Sequence, residues 1–342
     1  MWSAGSLGVG DRHFRSTIHI LSVAEAPRTR ERRCVRNVLL LAACLAVPAF
    51  GAGAASFDCA KAATTVENEI CADPILSQAD EHMAEAYGKT MEATLAPRAL
   101  RTDQMRWLGS RDSAGTLDDL RASYDRRIAE LAGEARKWQR VRRDLGDAQA
   151  RQACVAIPDA PEDPCTVDAF ANVAGSGDAL AFQLQSYTNP QYRSGGGVVV
   201  FRRRGTTLTP VIATAVDGVH FNPPVVVQSP AGKLLDVSGT MDGTGAFNAG
   251  SLYLMDGEKL SEIDTESWLF DLAKRLPRGW GAWKGVFPDY AKLTASTPLW
   301  KSGDGNCCPT AGRATLKLGV KNGRLVILDL HIRNGEAAAQ GN

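Results

Sequence analysis

FDCAKAATTVENEIC, residues 57–71, sets how the folded protein begins. Cys59 and Cys71 stand near its two ends. One continuous helix over this span would hold their Cα atoms about 18 Å apart, at ~1.5 Å per residue. A disulfide needs roughly 4.4–6.8 Å. If the two pair, the chain must double back between them. Thr64-Thr65-Val66-Glu67 supplies the means, because Thr followed three residues later by Glu is a capping box that opens a helix near Thr64. Cys59 then rides an incoming loop and meets Cys71 at the far end of a short helix. The reading is a Cys59–Cys71 bridge.

That bridge bears on the compartment. The chain has 342 residues, 44 % hydrophobic and 23 % charged, which is globular composition with room for two domains. Its net charge of +1 gives no general field for nucleic acid, and no nucleic-acid partner is expected. Eight cysteines are many for a reducing cytosol. Val38–Phe50 reads VLLLAACLAVPAF, too short to span a bilayer comfortably. Arginines precede it and the small residues Gly51–Ala55 follow, so residues 35–55 read as a signal peptide and no stable transmembrane anchor is expected. The location implied is periplasmic or secreted. Leu41-Ala42-Ala43-Cys44 resembles a lipobox, and lipid anchoring through Cys44 is the less favoured alternative. Residues 1–34 show no hydrophobic periodicity and are expected to be disordered or to precede the true start.

Downstream, Asp73-Pro74 is an N-cap followed by proline at the first helical position. Leu76, Ala79, Met83, Tyr87, Met91 and Leu95 recur at helical spacing until Ala96-Pro97. A third helix is expected from about Pro97 to Asp112, with Gln104, Trp107 and Arg111 on neighbouring turns. Ser113–Thr116 is a loop. A fourth helix carries Leu117, Leu120, Tyr124, Ile128 and Leu131 and extends toward Trp138. These stripes read as core.

FDCAKAATTVENEIC, DPILSQADEHMAEAY, QMRWLGSRD and LDDLRASYDRRIAEL together resemble the LprI-type lysozyme-inhibitor domain of bacterial envelope proteins. The features that carry the likeness are Cys59, Glu67, Ile70-Cys71, Leu76, Asp80, Tyr87, Gln104, Trp107, Arg111, Tyr124, Arg127 and Leu131. They cover roughly residues 57–135. The resemblance implies a binding protein rather than an enzyme, with a lysozyme-type muramidase as partner. Members usually carry a second cysteine pair between the tryptophan helix and the last helix, whereas here that stretch is RDSAGTLDDL. Any role of that loop is thereby put in doubt.

Between Ser56 and Leu95 stand eight acids against Lys61 and Lys89, a balance of −6. Glu67, Glu69, Asp80, Glu81 and Glu85, with Trp107 and Arg111, are the candidate partner-binding residues, since an acidic face suits a cationic enzyme. Two plainer readings stand beside this one. The acids are also what helix N-termini favour. Gln104, Trp107 and Arg111 also suit a structural lock, with the indole in the core and Arg111 bonded to a carboxylate.

Residues 139–170 read as a linker with a disulfide loop, VAIPDAPEDP, between Cys154 and Cys165. From there to about residue 336 the period changes to two. Strands are expected in ALAFQLQSY, GGVVVFRRR, TLTPVIATA, PPVVVQS, KLLDVSG, SLYLMDG, KLSEID, ATLKLGV and RLVILDLHI, with one helix near Thr265–Leu276. Asp256-Gly257 and Asn322-Gly323 read as primed hairpin turns. Cys307-Cys308 either bridge each other while Cys154 pairs with Cys165, or are stitched to those two, and sequence does not choose. Residues 337–342 are an expected tail. Trp280, Trp283, Phe287 and Tyr290 read as core rather than as a glycan-stacking surface.

No HExxH, GxSxG, P-loop or calcium-loop pattern occurs, and no cofactor or metal is implied. His82, His220 and His331 are widely separated in sequence. The fold class expected is α+β, a disulfide-tied helical domain over residues 56–138 followed by a mainly antiparallel β domain over 171–336 with one helix. The function expected is lysozyme-inhibitor-like binding. The alternative is a peptidoglycan or envelope-protein interaction module without inhibitory activity.

Overall fold

The computed structural model describes residues 55–158, 160, 165–189 and 193–334. The expected signal peptide, Cys44 and the tail lie outside them. Cys59 and Cys71 are bonded, with Cα atoms 5.8 Å apart. The fold-back is as the capping box requires. A short turn at Cys59–Lys61 leads into helix α1 (Thr65–Ala72), where the Thr64 hydroxyl accepts from Glu67 N at 3.1 Å. The Glu67 carboxylate returns to Thr64 N at 2.9 Å and to Ala63 N at 2.6 Å. Those two backbone donors hold the Glu67 carboxyl below its ordinary pKa. Asp73 caps α2 (Pro74–Ala93) through Ile75 N and Leu76 N.

Helix α2 ends two residues before Leu95, which is buried in the following loop instead of on the helix. Helices α3 (Pro97–Arg111) and α4 (Leu117–Val141) complete an antiparallel helical assembly. Its apolar interior includes Ile70, Leu76, Met83, Leu100, Leu120, Tyr124 and Leu131. The stretch read as a linker is more ordered than expected. It contains the last turn of α4, a short strand β1 (Leu145–Gly146) and helix α5 (Asp147–Gln152). The reason it escapes sequence reading is that α5 buries only Ala150 in an otherwise polar segment.

Among the described residues, the strands form three antiparallel sheets. The first is ordered β1-β5-β4-β3-β2, with β2 (Cys165–Asn172), β3 (Leu180–Asn189), β4 (Arg193–Arg204) and β5 (Thr207–Asp217). In the second, β10 (Lys259–Ile263), β9 (Asn248–Asp256) and β8 (Gly232–Met241) lie side by side. There β6 (Val219–Phe221) and β7 (Val225–Ser229) pair with opposite ends of β8. The third runs β11 (Trp280–Gly281), β12 (Thr294–Lys301), β13 (Gly312–Lys321) and β14 (Arg324–Asn334). Helix α6 (Ser267–Arg275) packs against this last sheet.

Strand alternation sorts these sheets into layers. In the first sheet Ala181, Val199, Phe201, Leu208 and Ala213 face Trp138 and Val141 of α4 and Ala150 of α5. The neighbouring residues Leu180, Phe182, Val198, Val200 and Ile212 pack instead with Leu235 and Val237 of β8. One residue earlier on β8, Leu234 joins Leu252, Leu299, Leu316 and Trp268 on the far side. Two sheets are therefore covered on both faces, which is why Val198–Phe201 reads as an unbroken apolar run.

Buried Gln183 and Gln185 fasten the loop that carries Cys154. Gln183 donates to the Ala153 carbonyl at 2.9 Å and accepts from Val155 N at 3.1 Å, while Gln185 donates to the Val155 carbonyl at 3.0 Å. Buried backbone polar groups need such partners. Of the two connectivities left open, the structure has Cys154–Cys165 and Cys307–Cys308. The hairpin at Asn322-Gly323 has positive φ at both residues, 51° and 70°, the sign pattern of a type I′ turn. In the other hairpin Lys259 pairs with Asp256, so the turn centres on Gly257-Glu258 and not on Asp256-Gly257.

Closing a loop of this size with Cys59–Cys71 stabilises the fold by about 3 kcal/mol in the chain-entropy model. Replacing both cysteines by serine is expected to lower the urea-unfolding free energy by that amount. Replacing Cys307 and Cys308, which enclose no intervening residue, is expected to change it by under about 1.5 kcal/mol. Equal losses in the two variants would contradict this.

Candidate functional site

Six of the residues that carried the family resemblance, Asp80, Gln104, Trp107, Arg111, Tyr124 and Arg127, meet inside the helical assembly. Asp80 of α2 is 1 % exposed. It accepts from the Tyr124 hydroxyl of α4 at 2.7 Å and from Ser56 N at 2.8 Å, with the Ser56 hydroxyl donating to the same oxygen as Ser56 N. Arg111, at the end of α3, donates to the Tyr124 hydroxyl at 3.2 Å and to Asp112 at 2.7 Å. Burial pushes the Tyr124 hydroxyl well above its usual range, so it stays a donor. Trp107 meets the Tyr124 ring edge-on at 5.3 Å, and the guanidinium groups of Arg111 and Arg127 lie 5.8 and 6.0 Å from its centroid.

Arg127 extends the network. It donates to Gln104 at 3.0 Å and to Asp103 at 2.6 Å. Gln104 in turn donates to the Met83 sulfur at 3.0 Å. Gln104, Trp107 and Arg111 thus form the structural lock that their spacing allowed. Asp80 and Arg111, both named as partner-contacting candidates, lie in the interior and act on the fold.

The acidic excess is likewise divided by its local duties. Asp58 caps the first turn and pairs with Lys61, Glu67 completes the capping box, and Asp73 caps α2 while binding Arg121 at 2.5 Å. Glu85 pairs with Lys89 at 2.7 Å. Glu69, Glu81 and Glu92 have no ion-pair partner among the described residues, and Glu69 is half-buried. What remains as an acidic surface is the exposed stripe Glu81, Glu85 and Glu92 along α2, four and seven residues apart and so on one helix face. This stripe borders an open groove between α2 and α4. His82 and Ala86 form one side of it, and Ile128, Ala132 and Arg136 the other.

The turn from which the usual second cysteine pair is absent is held without it. Ser113 Oγ donates to the Gly109 carbonyl at 3.2 Å, and Thr116 caps α4 by accepting from Asp119 N at 3.1 Å.

In the β region, the four aromatic residues read as a core cluster are split. Trp280 and Tyr290 pack on the core, whereas Trp283 is 36 % and Phe287 48 % exposed. Trp283 stacks on Trp300 at 6.0 Å. His220 lies 2.9 Å from Asp242, and both side chains are exposed rather than set in a cleft. One residue that sequence reading passed over is Asp236, part of a small pocket against α6. Its signal was a carboxylate inside the apolar alternation of KLLDVSG.

Removing one partner of a buried polar network leaves a charge or dipole unsatisfied. Tyr124→Phe is expected to lower the unfolding free energy by about 1–3 kcal/mol, and Asp80→Ala by about 3–5 kcal/mol, because Asp80→Ala leaves the Tyr124 hydroxyl and Ser56 without their acceptor and removes the buried counter-charge 3.9 Å from Arg111. Glu81→Gln and Glu92→Gln are expected to stay within about 0.5 kcal/mol of the parent. Urea denaturation followed by circular dichroism checks the contrast.

No curated protein matches the chain. Residues 58–154, less than a third of it, match the family model for Lysozyme inhibitor LprI. The match starts at the first cap, runs through the Asp80–Tyr124–Arg111 network and ends at Cys154. The helical part of this chain is thus similar to the lysozyme inhibitor LprI family over the residues that build its interior lock.

Proposed function

We propose that this is an exported bacterial envelope protein whose helical part binds and inhibits a cationic, lysozyme-type muramidase. The observation that carries the reading is the family match over residues 58–154, joined to a helical interior that is complete in its caps, bridge and lock. Three disulfides support an oxidising compartment. Among the described residues, no helix is long and apolar enough to cross a membrane.

The mode of action is occlusion by docking. Glu81, Glu85 and Glu92 present carboxylates on one exposed face, and opposite potentials speed encounter and set orientation. Lys89 partly offsets Glu85, so the attraction rests chiefly on Glu81 and Glu92. Glu67, Asp80 and Arg111 support the surface from beneath and do not touch the partner. Trp107 holds α3 against α4.

A turbidity assay of lysozyme on bacterial cells tests this. The purified protein is expected to slow lysis, and the triple variant Glu81→Lys, Glu85→Lys, Glu92→Lys to weaken inhibition by roughly tenfold or more at low salt. Added salt is expected to weaken the parent's inhibition as well, since exposed charges are screened. Unchanged lysis at about a hundredfold molar excess of parent protein would overturn the reading.

A further inference from the structure

The pocket against α6 has features that none of the folding arguments require. Asp236 lies on β8 between Leu235 and Val237, half-buried, with its carboxylate Oδ1 out of contact with water. Ser238, two residues on along β8, lines the same pocket, but the buried Oδ1 of Asp236 has no hydrogen-bond partner. A buried carboxylate oxygen without a donor is expensive, and each such group calls for an explanation.

Opposite charges line the same pocket. Arg98 reaches it from α3, paired with Glu266 and within 3.5 Å of the Thr265 hydroxyl. A cationic ligand would meet the Arg98 guanidinium, and an anionic one would meet Asp236 and Glu266. A hydroxyl group suits all of them, since it donates to Asp236 and accepts from Arg98.

Aromatic residues complete the set. Trp268 and Tyr290 line the pocket beside Asp236, and Phe287 stands at its rim about half exposed. That rim is held in place. Asn248 donates to the Val286 carbonyl and accepts from Val286 N, both at 2.7 Å, and Gly285 N donates to the Gly245 carbonyl at 3.0 Å. Gly285 is required there, because a Cβ would lie 2.2 Å from the Ala246 carbonyl oxygen and 2.8 Å from the Phe287 ring. The neighbouring loop presents Phe247, 49 % exposed. A rigid loop that spends a glycine to hold the Phe287 ring at a pocket with an unsatisfied carboxylate oxygen is arranged for a ligand.

We infer that this pocket binds one ring of a neutral saccharide, its hydroxyl groups bonded to Asp236 and Arg98 and an apolar face of the ring set on Phe287. The inference stands apart from muramidase inhibition, because α2 contributes nothing to the pocket.

Binding of the purified protein to a printed array of neutral, amino and acidic hexose oligosaccharides tests it, followed by titration calorimetry with the best neutral glycan. The expected result is binding to a neutral glycan, weakened about tenfold or more by Asp236→Asn and by Phe287→Ala. The Glu81→Lys, Glu85→Lys, Glu92→Lys variant is expected to bind the glycan like the parent. Folding of Asp236→Asn is checked independently. Burial pushes the Asp236 carboxyl up to about 6, from 3.8. The folded state therefore favours the protonated form, and the charged form weakens the fold above that pH, a penalty that disappears as pH falls toward 3.8. The asparagine variant is expected to melt no lower than the parent at pH 7.5. No binding to any neutral glycan, binding only to charged ones, or affinity untouched by both pocket variants would each overturn the inference.

Discussion

One buried carboxylate organises the helical half of this protein. Asp80 gathers α4 through Tyr124 and the incoming N-terminal strand of chain through Ser56, and Arg111 reaches the same hydroxyl from the end of α3. Such a network is favourable only when each member is satisfied. That condition fixes the helix–helix register more narrowly than the surrounding leucines do, because apolar side chains tolerate sliding and a hydrogen bond does not. The Cys59–Cys71 bridge serves the same end by holding the incoming chain where Ser56 can reach Asp80.

The helical half is also a cover. The first sheet has apolar residues on both faces, and the second sheet hides only one of them. Trp138 and Val141 of α4, with Ala150 of α5, seal the other. Arg142 ties this end of α4 back to the Ala93 and Thr94 carbonyls, and Arg101 bonds Glu262 of β10 at 2.8 Å. The helical part therefore leans on the β region, through burial and ion pairs alike. A helical module detached from the sheets would expose Trp138, Leu95 and Ala135.

Much of this was legible from residue order. The capping box, the Asp73-Pro74 helix start, the break at Ala96-Pro97 and the Asn322-Gly323 turn are local codes, and each has its expected geometry. The lock was legible as one of two readings of Gln104, Trp107 and Arg111, and the burial of Gln104 and Arg111, with Trp107 half-buried beside them, supports it. Other elements carried weak local signals. Strand β2 lies at a sheet edge with exposed Thr166 and Asp168, and β12 contains Pro298 and hides behind its small residues. The acidic count of −6 does not sort the acids, because a charge total cannot reveal that Asp58, Glu67 and Asp73 cap helices and that Asp80 is buried. Asp236 and Phe287 come together only through sheet packing, from positions far apart in sequence.

Interior polar residues hold the helices, the carboxylates of Glu81, Glu85 and Glu92 stand exposed on α2, and the docking proposed above assigns the partner to that exposed face. Hydrogen–deuterium exchange of the protein with and without lysozyme tests that assignment directly. Contact through this face predicts new protection confined to the segment around Glu81–Glu92 and the facing turns of α4, with the β strands unchanged. Protection centred on the β region, with α2 unaffected, would contradict it.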